Sequence, residues 1–416
     1  MSQSPLRGAR DLPGTSGDVD YLLSPMAVRQ GSQVMLGLSR KGLTHFALDE
    51  SRLDLVAAKV AEVTLKNYPT LDIPYHSRWT HFQVGGVDRN AALEKKLEAL
   101  TPKDRAKSLL DLVVMSVLVD AGAGDKWKYI EKDTGKEFSR SEGLAVASWH
   151  FFTSGACSSD PYNPHRIDAH ALERLDERKM SQAFQVSPEN PMQGFLGRME
   201  LLRNLGRALS SSSEYFPNGR LGDLLDVFQK YADGDNIRAA RILRAIQDSL
   251  GAIWPGRVSV NGVNLGDVWN YSPMGAGLVA LVPFHKLSQW LTYSVVAPLE
   301  KFGMKVSGFE ELSGLAEYRN GGLFVDMGVL VPRDPTLFKT SFPVESEVVV
   351  EWRALTLGLL DLLAPRVRKL LNKTEAELPL GKILEGGTWW AGRELAKELR
   401  PGGGSPIRIV SDGTVF

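Results

Sequence analysis

The chain has 416 residues, too many for one minimal core; the length fits two domains, or one large helical body with insertions. Hydrophobic residues make up 43% and charged residues 24%, an ordinary globular balance that excludes a disordered, collagen-like or coiled-coil chain. Lys+Arg and Asp+Glu both number 49, so the formal charge is zero and there is no electrostatic footprint for duplex nucleic acid or an anionic membrane, although a local cluster could still hold one phosphate. The one cysteine, Cys157, excludes an internal disulfide framework and a cysteine-rich zinc or iron–sulfur site, and fits a reducing compartment. The opening MSQSPLRGARDLPG lacks the apolar region of a secretory signal. The apolar run 355–364 carries Asp361 and is too short to span a bilayer. The expectation is a soluble cytoplasmic protein.

In chain order, residues 1–20 are rich in Gly, Pro and Ser and read as a loose arm. A helix is expected within 45–67, with Asp49 as its cap and Leu53, Val56, Val60 and Val63 at helical spacing. The aromatic, basic and glycine-interrupted segment 75–90 reads as a loop or short strand. Thr101 and Pro102 open a strong helix that runs to a stop at Gly122. Residues 140–152 form another helix, and 153–170 a loop full of breakers. Helical periodicity returns at 192–209, 219–232, 237–251 and 283–303. Residues 309–330 end in GGLFVDMGVLVP, read as extended. Further helices are expected at 346–365 and 389–399, then a PGGGSP hinge and a final strand and turn in IRIVSDGTVF. No repeat is visible, and alternating βα units are absent, so the chain reads as mainly α with small β elements and not as a doubly wound sheet.

Three constellations could carry chemistry. On the 284–299 helix, Phe284, Leu287, Leu291 and Val295 form an apolar stripe, while Lys286, Gln289, Trp290 and Tyr293 recur on a different face. That face suits a ligand wall; it equally suits a lysine snorkelling past half-buried aromatics. Glu317, Tyr318, Arg319 and Asn320 precede Gly321 and Gly322, whose freedom permits close backbone approach. A carboxylate there can stabilise developing positive charge or orient water, with Asp326 a second one; a salt-bridged turn is the plainer reading. In DAGAGDKWKY (120–129) and RSEG (140–143), Trp127 and Tyr129 could wall a ring and Arg140, Ser141 and Glu142 hold an anion or hydroxyls, against a reading as helix caps alone. His150, Cys157, His165 and His170 match no metal-ligand spacing, so no metal and no cofactor are expected. GGVDR (85–89) and EGGTWWAGR (385–393) read as glycine-rich turns whose arginines could meet phosphate, but neither is a P-loop or dinucleotide fingerprint.

The strings DAGAGDKWKY, RSEGLAVAS, PFHKLSQWLTYS, EYRNGGLFVDMGVL, EGGTWWAGR and SDGTVF, in this order, resemble the Urc4/Urg3-type uracil-catabolism family over nearly the whole chain from about residue 20. The resemblance implies a route that degrades uracil without reducing the ring, in which a ribosylurea species is split into urea and a sugar or sugar phosphate. FHKLSQWL followed by EYR is also similar, more distantly, to queuosine-salvage nucleotide N-glycosidases, which are helical proteins with a DNA-glycosylase-like fold. There a lysine and an aspartate lie in the active site. Lys286, Gln289, Tyr318 and Arg319 match that pattern, Glu317 stands in place of the aspartate, and Trp127 is what remains of an aromatic string.

These resemblances imply an N-ribosyl hydrolase with Glu317 as the carboxylate near C1′ and Lys286 orienting it. Asp326 or Tyr318 would be the proton donor, Arg319 and Arg140 the phosphate holders, and Trp127 and Trp290 the walls of the leaving group, with Glu142 and Gln289 among the binding residues. The implied body is one large helical catalytic unit over 21–416, or two lobes at about 21–250 and 251–416 with the site between them. The partners expected are a small nucleotide-like substrate and at most a second copy of the chain, a homodimer, with no nucleic acid and no membrane. Two alternatives stay open: an amidase or deaminase acting on a ureido intermediate, and a non-catalytic helical binding protein.

Overall fold

Helical periodicity carries through to a mainly helical architecture in the computed structural model, which describes residues 10–410; the β structure is limited to two- and three-stranded sheets. Among the described residues no helix is long and apolar enough to cross a membrane. The chain divides into two compact units, each assembled from separated stretches: 10–73, 254–286 and 310–410 in the first, 74–253 and 287–309 in the second.

The first unit is organised by the 25-residue helix Glu347–Leu371, buried on most of its faces through Leu360. It packs on the helices Pro25–Arg40 and Leu53–Asn67. Gly358 permits that approach, since a β-carbon there would lie 2.6 Å from a methyl of Leu36. Leu53–Asn67 begins where the sequence suggests: Asp49 accepts from the Ser51 amide at 3.2 Å and caps a short 3-10 turn that leads into it. Part of the expected N-terminal arm is regular. Arg10–Leu12 pairs in parallel with Val258–Val260, and Ser16–Leu22 is a helix with a Thr15/Asp18 capping box. Leu12, Val19 and Leu22 bury against Val258, Val260, Leu265 and Val268, which is what orders the segment. Residues 1–9 of that arm and the terminal SDGTVF lie outside the described residues; Arg408–Val410 is the expected strand, parallel to Ser341–Pro343.

Two segments differ from the sequence reading. GGLFVD is helical, not extended: Tyr318–Asp326 is a helix, and only Leu330–Pro332 is strand. The glycines are tolerated because they admit neighbours; a β-carbon on Gly321 would lie 2.7 Å from the Trp352 indole. The 385–393 segment is not a glycine-rich turn. Leu384–Thr388 is a π-helical turn running into the helix Trp389–Leu399, with Gly387 set against Val60 and Thr64.

One ion pair ties the 254–286 stretch to the long helix. Arg353 donates two parallel hydrogen bonds to Asp267, both 2.8 Å, with its side chain almost fully buried. The Trp269 indole gives Asp267 Oδ1 a further bond at 2.7 Å and the Lys286 amide gives Oδ2 one at 3.1 Å, so four donors fill the carboxylate's acceptor sites. Burial alone would raise this acid; the Arg353 charge and the hydrogen bonds outweigh it and hold Asp267 well below the ordinary carboxylate range.

The second unit is built on Pro102–Leu118, buried throughout from Ala106 and capped at Thr101 as expected. It ends at Leu118, short of Gly122, and Arg198 hydrogen-bonds the following Val119 and Ala121 carbonyls. The helices Arg140–Thr153, Leu224–Tyr231 and Phe195–Ser211 pack on it. The 75–90 segment forms a helical turn, Arg78–His81, rather than a strand. Arg89 of GGVDR is buried and doubly bonded to Glu131 at 2.7 Å, so it is a core cation and not a phosphate contact. His150 Nε2 lies 2.9 Å from the same carboxylate. The Cys157 thiol is buried, and burial raises its pKa.

Two outcomes test these interiors. Asp267→Asn strands the buried Arg353 charge and is expected to cost about 3–5 kcal/mol in urea unfolding; a loss under about 1 kcal/mol would contradict the structural role given to the pair. Burial pushes Glu131 up, but hydrogen bonds from Arg89, His150 and Thr134 and the Arg89 charge more than reverse it and hold its pKa at about 2. A depressed carboxyl contributes stability that is present above its unfolded pKa of about 4.3 and is lost as the pH falls through the folded value. Glu131→Gln should therefore be less stable than wild type at neutral pH, with the difference shrinking as the pH falls toward 2 in acid-unfolding curves.

Candidate functional site

Lys286 opens the helix Lys286–Phe302 directly after the strand Leu281–Pro283. The connection turns at His285, a buried residue with φ of 48° whose Nε2 is 2.8 Å from the Leu22 carbonyl oxygen. Phe284 donates its amide to the Asp267 carbonyl at 2.9 Å, and the Arg353 guanidinium lies 4.0 Å from its ring centre. Both backbone and carboxylate of Asp267 thus fix the start of this helix. Lys286 itself is 8% exposed.

The same arginine reaches the acid. Arg353 Nε donates to the Ala316 carbonyl at 3.4 Å, one residue before Glu317. Glu317 is 8% exposed and caps the helix Tyr318–Asp326, accepting from the Arg319 amide at 2.8 Å and the Asn320 amide at 2.7 Å. One donor falls on each oxygen, so each retains acceptor capacity. Asn320 is fixed by the Leu315 carbonyl at 3.2 Å and the Thr388 hydroxyl at 2.8 Å. A β-carbon on Gly392 would collide with the Arg319 carbonyl oxygen, so the Trp389–Leu399 helix seats the first turn. Lys286 and Glu317 are therefore anchored, through their backbones, to one buried ion pair.

The other predicted residues of this unit divide. Tyr318 is half-buried with the Arg319 guanidinium 4.8 Å from its ring centre. Arg319 is buried and donates from Nη1 to the Gly403 carbonyl at 2.9 Å. Asp326 receives two bonds from Arg400, at 2.7 and 2.6 Å. Both its oxygens serve a structural clamp.

In the second unit, Trp290 is the centre of a polar cluster that the sequence reading missed in part. The buried Arg78 guanidinium lies 4.9 Å from its ring centre, and the His76 and His81 rings 6.0 and 5.8 Å away. Arg78 pairs with Asp120 and donates to the carbonyls of Ser141 at 2.7 Å and Ser116 at 3.2 Å. The Ser141 hydroxyl bonds both Asp120 oxygens at 2.8 and 2.9 Å. Arg78 Nη1 also sits 3.3 Å from His81 Nδ1. A guanidinium only donates, so His81 Nδ1 is the acceptor in this contact. Tyr75, Tyr293 and Phe309 stack alongside one another. Gln289 is buried on the same helix. The signal for this cluster lay in YHSRWTH, whose aromatic and basic density was visible, and in Asp120 and Ser141, which fall in DAGAGDKWKY and RSEGLAVAS.

Two predicted contacts fare differently. Trp127 is fully buried and its indole donates to the Phe184 carbonyl at 2.9 Å, so it is a core side chain and not a wall open to a ligand. Arg140 has φ of 55° and reaches Asp125 at 3.4 Å, and Glu142 is the first-turn acid of its helix.

Two relatives align along almost their whole lengths. The chain is 42% identical over 413 residues to "Protein urg3" of Schizosaccharomyces pombe, covering 96% of this chain and 99% of that protein. It is 40% identical over 407 residues to "Uracil catabolism protein 4" of Lachancea kluyveri, covering 89% and 92%. Residues 21–416 match the family described as "Protein of unknown function (DUF1688)", and the chain belongs to that family.

Proposed function

We propose that this protein acts in uracil catabolism as an N-ribosyl hydrolase, cleaving the C1′–N bond of a ribosylurea or its phosphate to give urea and ribose or ribose phosphate. The observation that carries the reading is Glu317: a nearly buried carboxylate, held by two backbone amides and joined through Ala316 to the ion pair that also fixes Lys286. Ser, Thr, Asp and Asn are the efficient helix caps. A glutamate here keeps a longer, adjustable carboxylate at a position where capping alone favours a shorter side chain. The name "Uracil catabolism protein 4" borne by a relative supplies the pathway. The reading takes the helical body to be of the DNA-glycosylase-like kind.

Breaking C1′–N builds positive charge on the sugar ring, and a fixed carboxylate stabilises it. Glu317 has that role here, and Lys286 orients it. Water supplies hydroxyl to C1′ and a proton to the departing nitrogen. Urea is a poor leaving anion, so a donor is needed; with Asp326 committed to Arg400, the Tyr318 hydroxyl is the remaining one of the two the sequence offered.

Glu317→Gln keeps an oxygen for the cap but removes the charge. It should lower urea release from ribosylurea by about 100-fold or more, and the one cap amide left without an acceptor should cost about 1–3 kcal/mol of unfolding free energy. Lys286→Ala should lower turnover as well. Wild-type rates in both variants would overturn the assignment.

A further inference from the structure

The helix Tyr318–Asp326 presents Arg319, Gly322 and Asp326 on one face, at spacings of three and four residues. The 400–406 segment covers that face. Arg319 Nη1 bonds the Gly403 carbonyl at 2.9 Å, and a β-carbon on Gly322 would lie 3.3 Å from the Pro406 ring. Arg400 holds Asp326 and also donates from Nε to the Gly404 carbonyl at 2.9 Å. Gly402 and Gly403 take φ of 71° and 61°, conformations that let the backbone fold tightly over the arginine. Lys397 packs its stem against Gly403, where a β-carbon would lie 3.0 Å from its Cγ.

Two buried polar atoms in this seam have no hydrogen-bond partner: Arg319 Nε and the Ser405 hydroxyl oxygen. Arg319 is 4% exposed, whereas Gly402 is exposed and Gly404 and Ser405 are half-buried, so the turn lies at the surface and the two unpartnered atoms lie beneath it. Its charge is positive. Asp326 neutralises Arg400, which leaves Arg319 and Lys397 beside the glycines. An arginine edge, a hydroxyl and a glycine turn flanked by a lysine match the oxygens of a phosphate monoester. The seam begins two residues after Glu317.

Resting on the hydrolase reading above, we propose that Arg319, Ser405 and the Gly402–Gly404 turn form the phosphate subsite, and that the substrate is a ribosylurea 5′-phosphate rather than the free riboside. The test is calorimetric titration of the full chain with ribose 5-phosphate and with ribose. Wild type should bind ribose 5-phosphate at least about tenfold more tightly than ribose, and Ser405→Ala should lose about tenfold of that affinity. Arg319→Gln should reduce ribose 5-phosphate to the level of ribose. Glu317→Gln should keep the preference. Equal affinity for the two sugars, or an unchanged preference in Ser405→Ala, would overturn the subsite; Ser405→Ala removes one hydroxyl and decides the matter even where Arg319→Gln fails to fold. Preferential binding of ribose 5-phosphate without any urea release keeps the subsite and removes the hydrolase. Urea release from the free riboside as fast as from its phosphate keeps the hydrolase and removes the subsite.

Discussion

The Asp267–Arg353 pair is the constraint on which the candidate site depends. Both side chains are nearly removed from water, which is costly for each charge alone and is offset only by good geometry and full hydrogen bonding. Here the geometry is bidentate and every acceptor site on Asp267 is used. The pair does more than close an interior. Its carboxylate holds the amide at which the Lys286 helix begins, and its guanidinium holds the carbonyl that precedes Glu317. A buried pair of this kind adds little net stability over an apolar replacement, but it defines one arrangement of the backbones it touches. A site that must hold a lysine and a carboxylate in register needs that kind of definition.

In the proposed mechanism Glu317 joins a structural duty to a chemical one. As a cap it satisfies two amides that the first helical turn would otherwise leave unpaired. Those amides also hold the carboxylate still, so it would meet a developing cation without reorganising. The first turn is itself pinned by the close approach of Gly392 to the Arg319 backbone and by Thr388 on Asn320. That explains why a double glycine can follow Glu317 without loosening the helix: the space is filled by the Trp352 ring.

Much of this was legible in the sequence where the signal is local. Asp49, Thr101 and the apolar periods located helices because capping and amphipathicity act over a few residues. GGLFVD misled, because two glycines lower helix propensity and only a tertiary neighbour, Trp352, explains them. Lys286 and Glu317 stood out through resemblance, yet Asp267 and Arg353, which anchor them, carried no local pattern; their pairing spans 86 residues. The density of YHSRWTH was visible, but the pairing of its Arg78 with Asp120, distant in sequence, carried no local pattern. Trp127 was misread because an aromatic beside small residues looks alike in a pocket and in a core; only its full burial and the bond to Phe184 decide.

The central claim concerns which bond is broken. Ribosylurea 5′-phosphate carrying carbon-13 at the ureido carbon, incubated with the protein and followed by carbon NMR, reports that directly. The account predicts that the label appears in intact urea while the sugar is released with a hydroxyl at C1′. Label appearing in carbon dioxide or bicarbonate would mean attack at the ureido carbon, and an unchanged substrate signal would mean no turnover; either result would contradict the account.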